Sequence, residues 1–232
     1  MRGALPVLIP ALILPLAAAE PMPLPLRVQQ TLRLPDAALS TLQRALRQAP
    51  PQADKAYWQA LAAYARLGQT KDPALGARYL AEATQALAGR KDADSVALLG
   101  SLQGMAIGLH PERAMDLAPR ALACFERARR LAPSNPRVRF FEAVHLFQTP
   151  EAFGGGPAVA LPLLETTLAL AEAEPEAAPW RPAWGKAETL AWLALAEARL
   201  GQMAQAKAYA ARALQLDPDY GFVHAFVEPL LR

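Results

Sequence analysis

The residues best placed to do chemistry sit in two loops and on two helices. The segment from Thr149 to Pro157 reads TPEAFGGGP. Glycine permits positive φ and close backbone approach. Phe153, Gly154, Gly155 and Gly156 therefore fit a rim over a pocket, with amides offered to an anion at the start of the next helix. They fit better a long turn that tucks Phe153 into the core, since glycines mark tight turns more often than sites. No Gly-Lys-Ser/Thr follows, so this is not a P-loop. A second loop over 178–186 carries Trp180 and Trp184. Such rings serve as interface anchors or as plugs between layers, with Gly185 allowing a close turn. Tyr57 and Tyr64 are seven residues apart and share a helical face, with Trp58 beside the first. The three either line an open groove or belong to the core.

In the stretch 136–148, Phe140, Val144 and Phe147 form a core stripe at helical spacing. His145 follows Phe141 by one turn on a neighbouring face. It reads as a helix histidine with a satisfied ring or as one contact of a binding face. His110 and His224 have no companions at metal spacing, and there is one cysteine, Cys124. No HExxH or Cys–His cluster exists, so the sequence implies no metal and no cofactor. Gly-x-Ser-x-Gly is also lacking, and Glu165, Glu172, Glu174 and Glu176 scatter without an acid–base pair. The expectation is therefore a protein that binds and is not an enzyme. Arg127, Arg129, Arg130, Arg137 and Arg139 make the densest positive run. It reads as a solvated helix end that complements the C-terminal dipole or as a patch for an acidic partner. Without interleaved exposed aromatics it does not suit nucleic acid.

The elements that must hold these residues are helices. About fifty Ala and nearly forty Leu stand against eight Val and three Ile in 232 residues. Helices favour the first two types, whereas strands need the β-branched ones. The 19% charged and 53% hydrophobic fractions exclude a disordered tail. Periodicity with Pro and Gly punctuation predicts helices near 37–48, 52–67, 73–88, 93–109, 115–131, 136–148, 157–172, 185–200, 202–216 and 219–228. Asp36, Asp94 and Asp219 are expected as caps. Pro73, Pro136 and Pro157 fit first helical positions, and Gly68, Gly89 and Gly201 fit helix ends.

These helices pair. The clearest unit runs from Ala187 to Pro218, with Leu190, Leu193 and Ala194 on its first helix, a turn at Gly201, and Ala206, Ala210 and Ala213 on its second. The spacing recurs at Ala121, Phe125, Ala128 and Pro133. Weaker echoes fall at Ala77, Ala81, Thr84 and at Ala160, Leu164, Thr167, where Pro162 is expected to interrupt the helix. The unit resembles a tetratricopeptide repeat. Small residues at the crossing let two helices approach, and large ones fill the gap to the next pair. The resemblance implies an all-α, right-handed superhelix of about four helix pairs, with helices 37–48 and 219–228 as caps. Together with Asn135-Pro136-Arg137, Thr149-Pro150, Phe153-Gly154-Gly155 and Trp184-Gly185, residues 52–222 resemble exported bacterial tetratricopeptide-like proteins. More loosely they are similar to the helical T-component of transporters that depend on a substrate-binding protein. The resemblance implies a fold and a concave groove. It does not imply an activity.

The first residues carry one positive charge, Arg2, an apolar stretch from Ala4 to Leu16, and Ala17-Ala18-Ala19 before Glu20. This is the pattern of a secretory signal peptide over 1–19, cleaved after Ala19, and it predicts a periplasmic or secreted protein. The apolar stretch is too short to span a bilayer. Residues 20–35 read as a Pro-rich extended leader, and 36–232 as one helical repeat domain. The net charge of +3 drops to +2 without Arg2, too small for a polyanion binder. The leading functional expectation is a non-enzymatic scaffold that binds a protein or peptide partner in the cell envelope through Tyr57, Trp58, Tyr64 and His145. The loop Phe153, Gly154, Gly155, Gly156 and Trp184 form the rim. The alternative is a periplasmic carrier of an apolar or amphiphilic small ligand associated with a transporter.

Overall fold

The computed structural model describes residues 54–174 and 184–232. The leader sequence, the helix expected at 37–48 and Trp180 lie outside the described residues. Within them every regular element is helical. The order is α1 (Lys55–Gln69), α2 (Pro73–Ala86), α3 (Ala93–Leu109), α4 (Ala114–Leu131), α5 (Pro136–Gln148), α6 (Pro157–Ala173), α7 (Lys186–Arg199) and α8 (Met203–Leu216). A π-type turn over Val223–Val227 and a 3-10 turn over Glu228–Leu230 replace the last expected helix. Pro229 there has no amide to extend a regular ladder.

The helix starts have local causes. The side chains of Asp54, Asp72, Asp92 and Asn135 accept first-turn amides of α1, α2, α3 and α5. Pro73, Pro136 and Pro157 open their helices as expected. Two expected caps are corrected. Asp92 caps α3 instead of Asp94, which is thereby left for longer-range pairing. The amide of Asp219 donates to Asp217, and the chain turns helical only at Gly221. Gly89 and Gly201 are left-handed, at φ 74° and 80°, and end their helices. Gly68 instead lies inside α1, which runs on to Gln69 and is capped by Thr70.

Each odd helix packs on the even helix after it: α1 on α2, α3 on α4, α5 on α6 and α7 on α8. Short connections make such neighbours antiparallel. Successive first helices also touch, and each second helix leans on the first helix of the next pair. The second helices bury the expected rows Ala121, Phe125, Ala128, then Ala160, Leu164, Thr167, then Ala206, Ala210, Ala213. In the first pair the row is shifted by one position. Ala77, Ala81 and Thr84 are exposed, and Gly76, Leu80 and Ala83 face inward. A Cβ on Gly76 would sit 3.2 Å from Leu109 and 3.5 Å from Leu67, so the smallest side chain sits at a close crossing. Pro162 does not break α6, which is continuous from Pro157 to Ala173. It is exposed, so the carbonyl it leaves unbonded can meet water.

Candidate functional site: a groove between α4 and α5

The side chains split between a closed interior and an open groove. The interior forms where α1, α3 and α5 meet. Trp184, just before α7, reaches back 127 residues to donate from Nε1 to the Tyr57 hydroxyl at 3.0 Å. Its ring meets Phe140 and Phe141 edge to face, with centroids 5.4 and 5.3 Å apart. Beside it, Arg137 is nearly buried, although it was expected on a solvated helix end. Its Nε donates to Asp94 at 2.9 Å and its two terminal nitrogens to Glu174 at 2.8 and 2.7 Å. Burial opposes the charge, but the bonds to Glu174 and the charge of Asp94 outweigh it and hold the guanidinium pKa above its ordinary value. Burial pushes the Tyr57 hydroxyl well above its ordinary value, with Asp94 reinforcing the shift. Tyr57 and Trp58 are fully buried and Trp184 nearly so, so none of the three presents a face to a partner. Tyr64 is half-buried. Its ring meets Phe141 at 5.5 Å, and burial pushes its hydroxyl up to about 12 against a bond to Ser101.

The loop after α5 is braced from within. The amide of Gly156 donates to the Leu146 carbonyl at 2.9 Å and that of Gly155 to the Pro150 carbonyl at 3.3 Å. These amides are therefore spent and are not offered to an anion. A Cβ on Gly155 would stand 2.3 Å from the Thr149 carbonyl oxygen, so only glycine fits there. Phe153 is not tucked into the core: it is 81% exposed, beside Gly154 at φ 81°.

The open site lies between α4 and α5. Leu122, Phe125 and Leu146 give it apolar lining, and Glu126, Arg129, Glu142 and His145 complete a groove of about 290 Å³. That is the low end of the range for small-ligand sites. Leu122 is 56% exposed. Arg129 donates to Glu142 at 2.6 Å, and the second Glu142 oxygen faces Arg139 at 3.5 Å. Arg130 pairs with Glu126 at 2.7 Å. The groove thus mixes apolar and charged lining and is near balance in charge.

His145 sits at its edge, 5.1 Å from Phe125 between ring centroids. On the other side its Nδ1 lies where a Cβ on Gly104 would come within 2.6 Å. Gly104 is therefore the seat of this imidazole. Burial pushes the His145 pKa below its ordinary value, which favours the neutral ring. Neither ring nitrogen makes a hydrogen bond or ion pair, and neither is sealed from solvent. Of the nine residues singled out in the sequence, the structure brings His145 alone into this groove.

Sequence reasoning missed Gly104, Leu122 and Glu142. The available signal was the four-residue spacing of Gly100, Gly104 and Gly108 along α3, which marks a helix face open to close neighbours. It also missed an aromatic rim at the C-terminal end. There Trp192 and Phe222 lie 5.0 Å apart with planes tilted by 33°, and Phe226 follows at 5.2 Å.

Among the described residues no group of three or more His, Cys, Asp or Glu could hold a bare metal ion. No described helix is long and apolar enough to cross a membrane. No family model and no curated protein matches the chain. A solved structure of similar fold is the HusA haemophore from Porphyromonas gingivalis. The two are 24% identical with a TM-score of 0.58, over 76% of this chain and 92% of that one. At that identity the likeness establishes a shared helical architecture.

Proposed function

We propose that this chain is an exported, non-enzymatic binding protein whose cargo is a flat amphiphilic small molecule of the tetrapyrrole class. The observation that carries the reading is the α4–α5 groove. The apolar side chains of Leu122, Phe125 and Leu146 lie beside paired charges and an unpartnered imidazole. A tetrapyrrole has the matching chemistry: an apolar disc, carboxylates at one edge and, when metallated, an open coordination position. The fold shared with a protein named as a haemophore supports the same choice. A groove of this size covers one face or edge of such a molecule and leaves the rest exposed, as suits a carrier that must hand its cargo on. The helix pairs and their buried rows support a tetratricopeptide-like, right-handed repeat, and the segment 1–19 supports export.

Titration of the purified protein with protoporphyrin IX and with haemin, followed by Soret absorbance and porphyrin fluorescence, tests the reading. Saturable binding of at least one of them near one per chain is expected. No spectral change for either at tens of micromolar ligand would sink the proposal.

One observation keeps a second reading alive, the docking of a protein segment. Phe153 stands out from a braced turn, and a rigid exposed ring is a common anchor for a partner. The other anchors expected for that reading, Tyr57, Trp58 and Trp184, are inside the protein.

A further inference from the structure

We propose that the face shared by α6, α7 and α8 binds an organic ammonium ion between Glu165, Glu197 and Tyr209. This goes beyond the tetrapyrrole reading and does not depend on it, because these residues lie on other helices than the α4–α5 groove.

Glu197 is the side chain that points to a ligand. It sits in the last turn of α7 and is 6% exposed. Its carboxylate makes no hydrogen bond and no ion pair, and its oxygens are not sealed from solvent. Among the described residues every other buried serine, threonine or charged side chain is engaged. Ser95 accepts from Arg90, and Ser101 bonds to Tyr64. Thr167 and Thr189 donate to carbonyls one turn back. Arg137 holds Asp94 and Glu174, and Asp217 accepts from the Asp219 amide. The α8 side chains buried against α7 are Ala206, Ala210 and Ala213, which have no polar atom to offer Glu197. A largely buried carboxylate without a partner is costly, so this position carries a negative charge that nothing inside the protein answers.

The neighbouring step shows what is missing. Arg212 of α8 donates to Glu172 of α6 at 2.6 Å, and its guanidinium carbon lies 5.9 Å from the centre of the Tyr209 ring. A carboxylate, a cation and an aromatic ring meet there. Glu165 stands two turns before Glu172 on the same face of α6, and Tyr209 one turn before Arg212 on α8. Glu165 is exposed and forms no ion pair among the described residues. Its charge acts on both Glu197 and Tyr209. Burial, then Glu165, pushes the Glu197 carboxyl above its ordinary value. Burial, then Glu165 and Glu197, raises the Tyr209 hydroxyl, with Arg212 opposing. This second step thus has two carboxylates and the same ring, and no cation of its own. A bare calcium or magnesium ion takes six or more oxygen ligands, and no group of three acidic side chains is present among the described residues. An alkylammonium head brings N–H donors for both carboxylates and an ordered charge for the face of a tyrosine.

The test titrates the full chain at low salt with 1,4-diaminobutane, followed by NMR, beside parallel titrations with magnesium and calcium. Saturable shifts centred on Glu197 and Tyr209 are expected for the diamine. Glu197→Gln is expected to weaken its binding at least about tenfold, whereas Glu126→Gln in the α4–α5 groove stays within about twofold. Urea unfolding separates a lost site from a lost fold: the Glu197→Gln midpoint should equal or exceed that of the wild type, since an uncompensated charge has gone. No saturable binding by about 20 mM diamine overturns the proposal. An unchanged affinity in Glu197→Gln overturns it too. Magnesium or calcium that moves the same signals at equal or lower concentration replaces the amine with a metal and also overturns it. A lower midpoint in Glu197→Gln overturns the premise that this carboxylate lacks a partner in the fold.

Discussion

The two halves of the molecule use aromatic side chains in opposite ways. Around α1, α3 and α5 the rings are inside: Tyr57, Trp58, Phe125, Phe140, Phe141 and Trp184 belong to one buried cluster. They meet one another mostly edge to face, at 65° to 88°. Around α6, α7 and α8 the interior is built from Ala160, Leu164, Leu190, Ala191, Leu193 and Ala194. The rings there, Phe147, Trp192, Phe222 and Phe226, are only partly covered and sit at its edge. Depth explains the contrast. Over Gly100 and Gly104, bare backbone leaves room that the rings of Phe125 and His145 fill. Where alanine rows face leucines, the helices close without them, and the rings remain outside. Most rings of the first cluster are therefore stability elements, whereas those beside the second keep exposed surface.

Truncation separates the two. Trp184→Ala removes a nearly buried indole and strands the Tyr57 hydroxyl, and should cost about 3–5 kcal/mol in urea unfolding. Phe226, 51% exposed, should change stability by no more than about 0.5 kcal/mol when replaced by Ala. Equal losses at the two positions would erase the distinction.

The buried charge belongs to the closed half and comes next in size. Arg137→Ala leaves Asp94 and Glu174 facing each other without their shared cation. Both carboxylates keep about a quarter of their side-chain exposure, so water softens the loss to the low end for buried pairs, about 3 kcal/mol. The same measurement checks it. Glu174→Gln in the Arg137→Ala background should then add little, because the partner is already gone. A loss below about 1 kcal/mol would show that the knot is ornamental to folding.

How much of this could be read in the sequence follows the same divide. The all-α class and the order of the described helix pairs were legible, because Ala, Leu, Pro and Gly act locally through propensity and capping. The burial rows of the last three pairs were legible too. The first was misplaced by one residue, since an Ala-rich helix such as α2 offers small residues on several faces and only the neighbour Leu109 singles out Gly76. Arg137 looked like a surface charge because its partners lie 43 and 37 residues away. Trp184 was recognised as plug or anchor, but its contact with Tyr57 spans 127 residues, beyond any local pattern. The groove was the least legible part. Its histidine was visible, whereas its seat at Gly104 and its lining on α4 meet it only after three helices have packed.

The smallest effect is expected at the C-terminal edge of the open half. His224 lies between the Pro218 carbonyl, 3.0 Å from Nε2, and the Glu228 carboxylate, 3.0 Å from Nδ1. Both neighbours are acceptors, so both ring nitrogens must carry hydrogens for both bonds to form. The bond to Pro218 is the main cause that raises the His224 pKa. Burial opposes it, and Glu228, by its bond and its charge, and Asp219, by its charge, add to the rise. A raised folded-state pKa means that the charged ring stabilises the fold fully below the unfolded value near 6.5. That contribution fades as pH rises through the folded value. The wild type should therefore gain a slightly higher urea midpoint than His224→Gln on going from pH 8 toward pH 6. The site is nearly half exposed, so solvent screens the gain, and the difference should shrink further in high salt. An NMR titration that puts the His224 pKa at or below 6.5 would remove the clip. The turn over Val223–Val227 would then rest on its backbone bonds to Tyr220 and on Val223 and Val227, both buried in the aliphatic core of the open half.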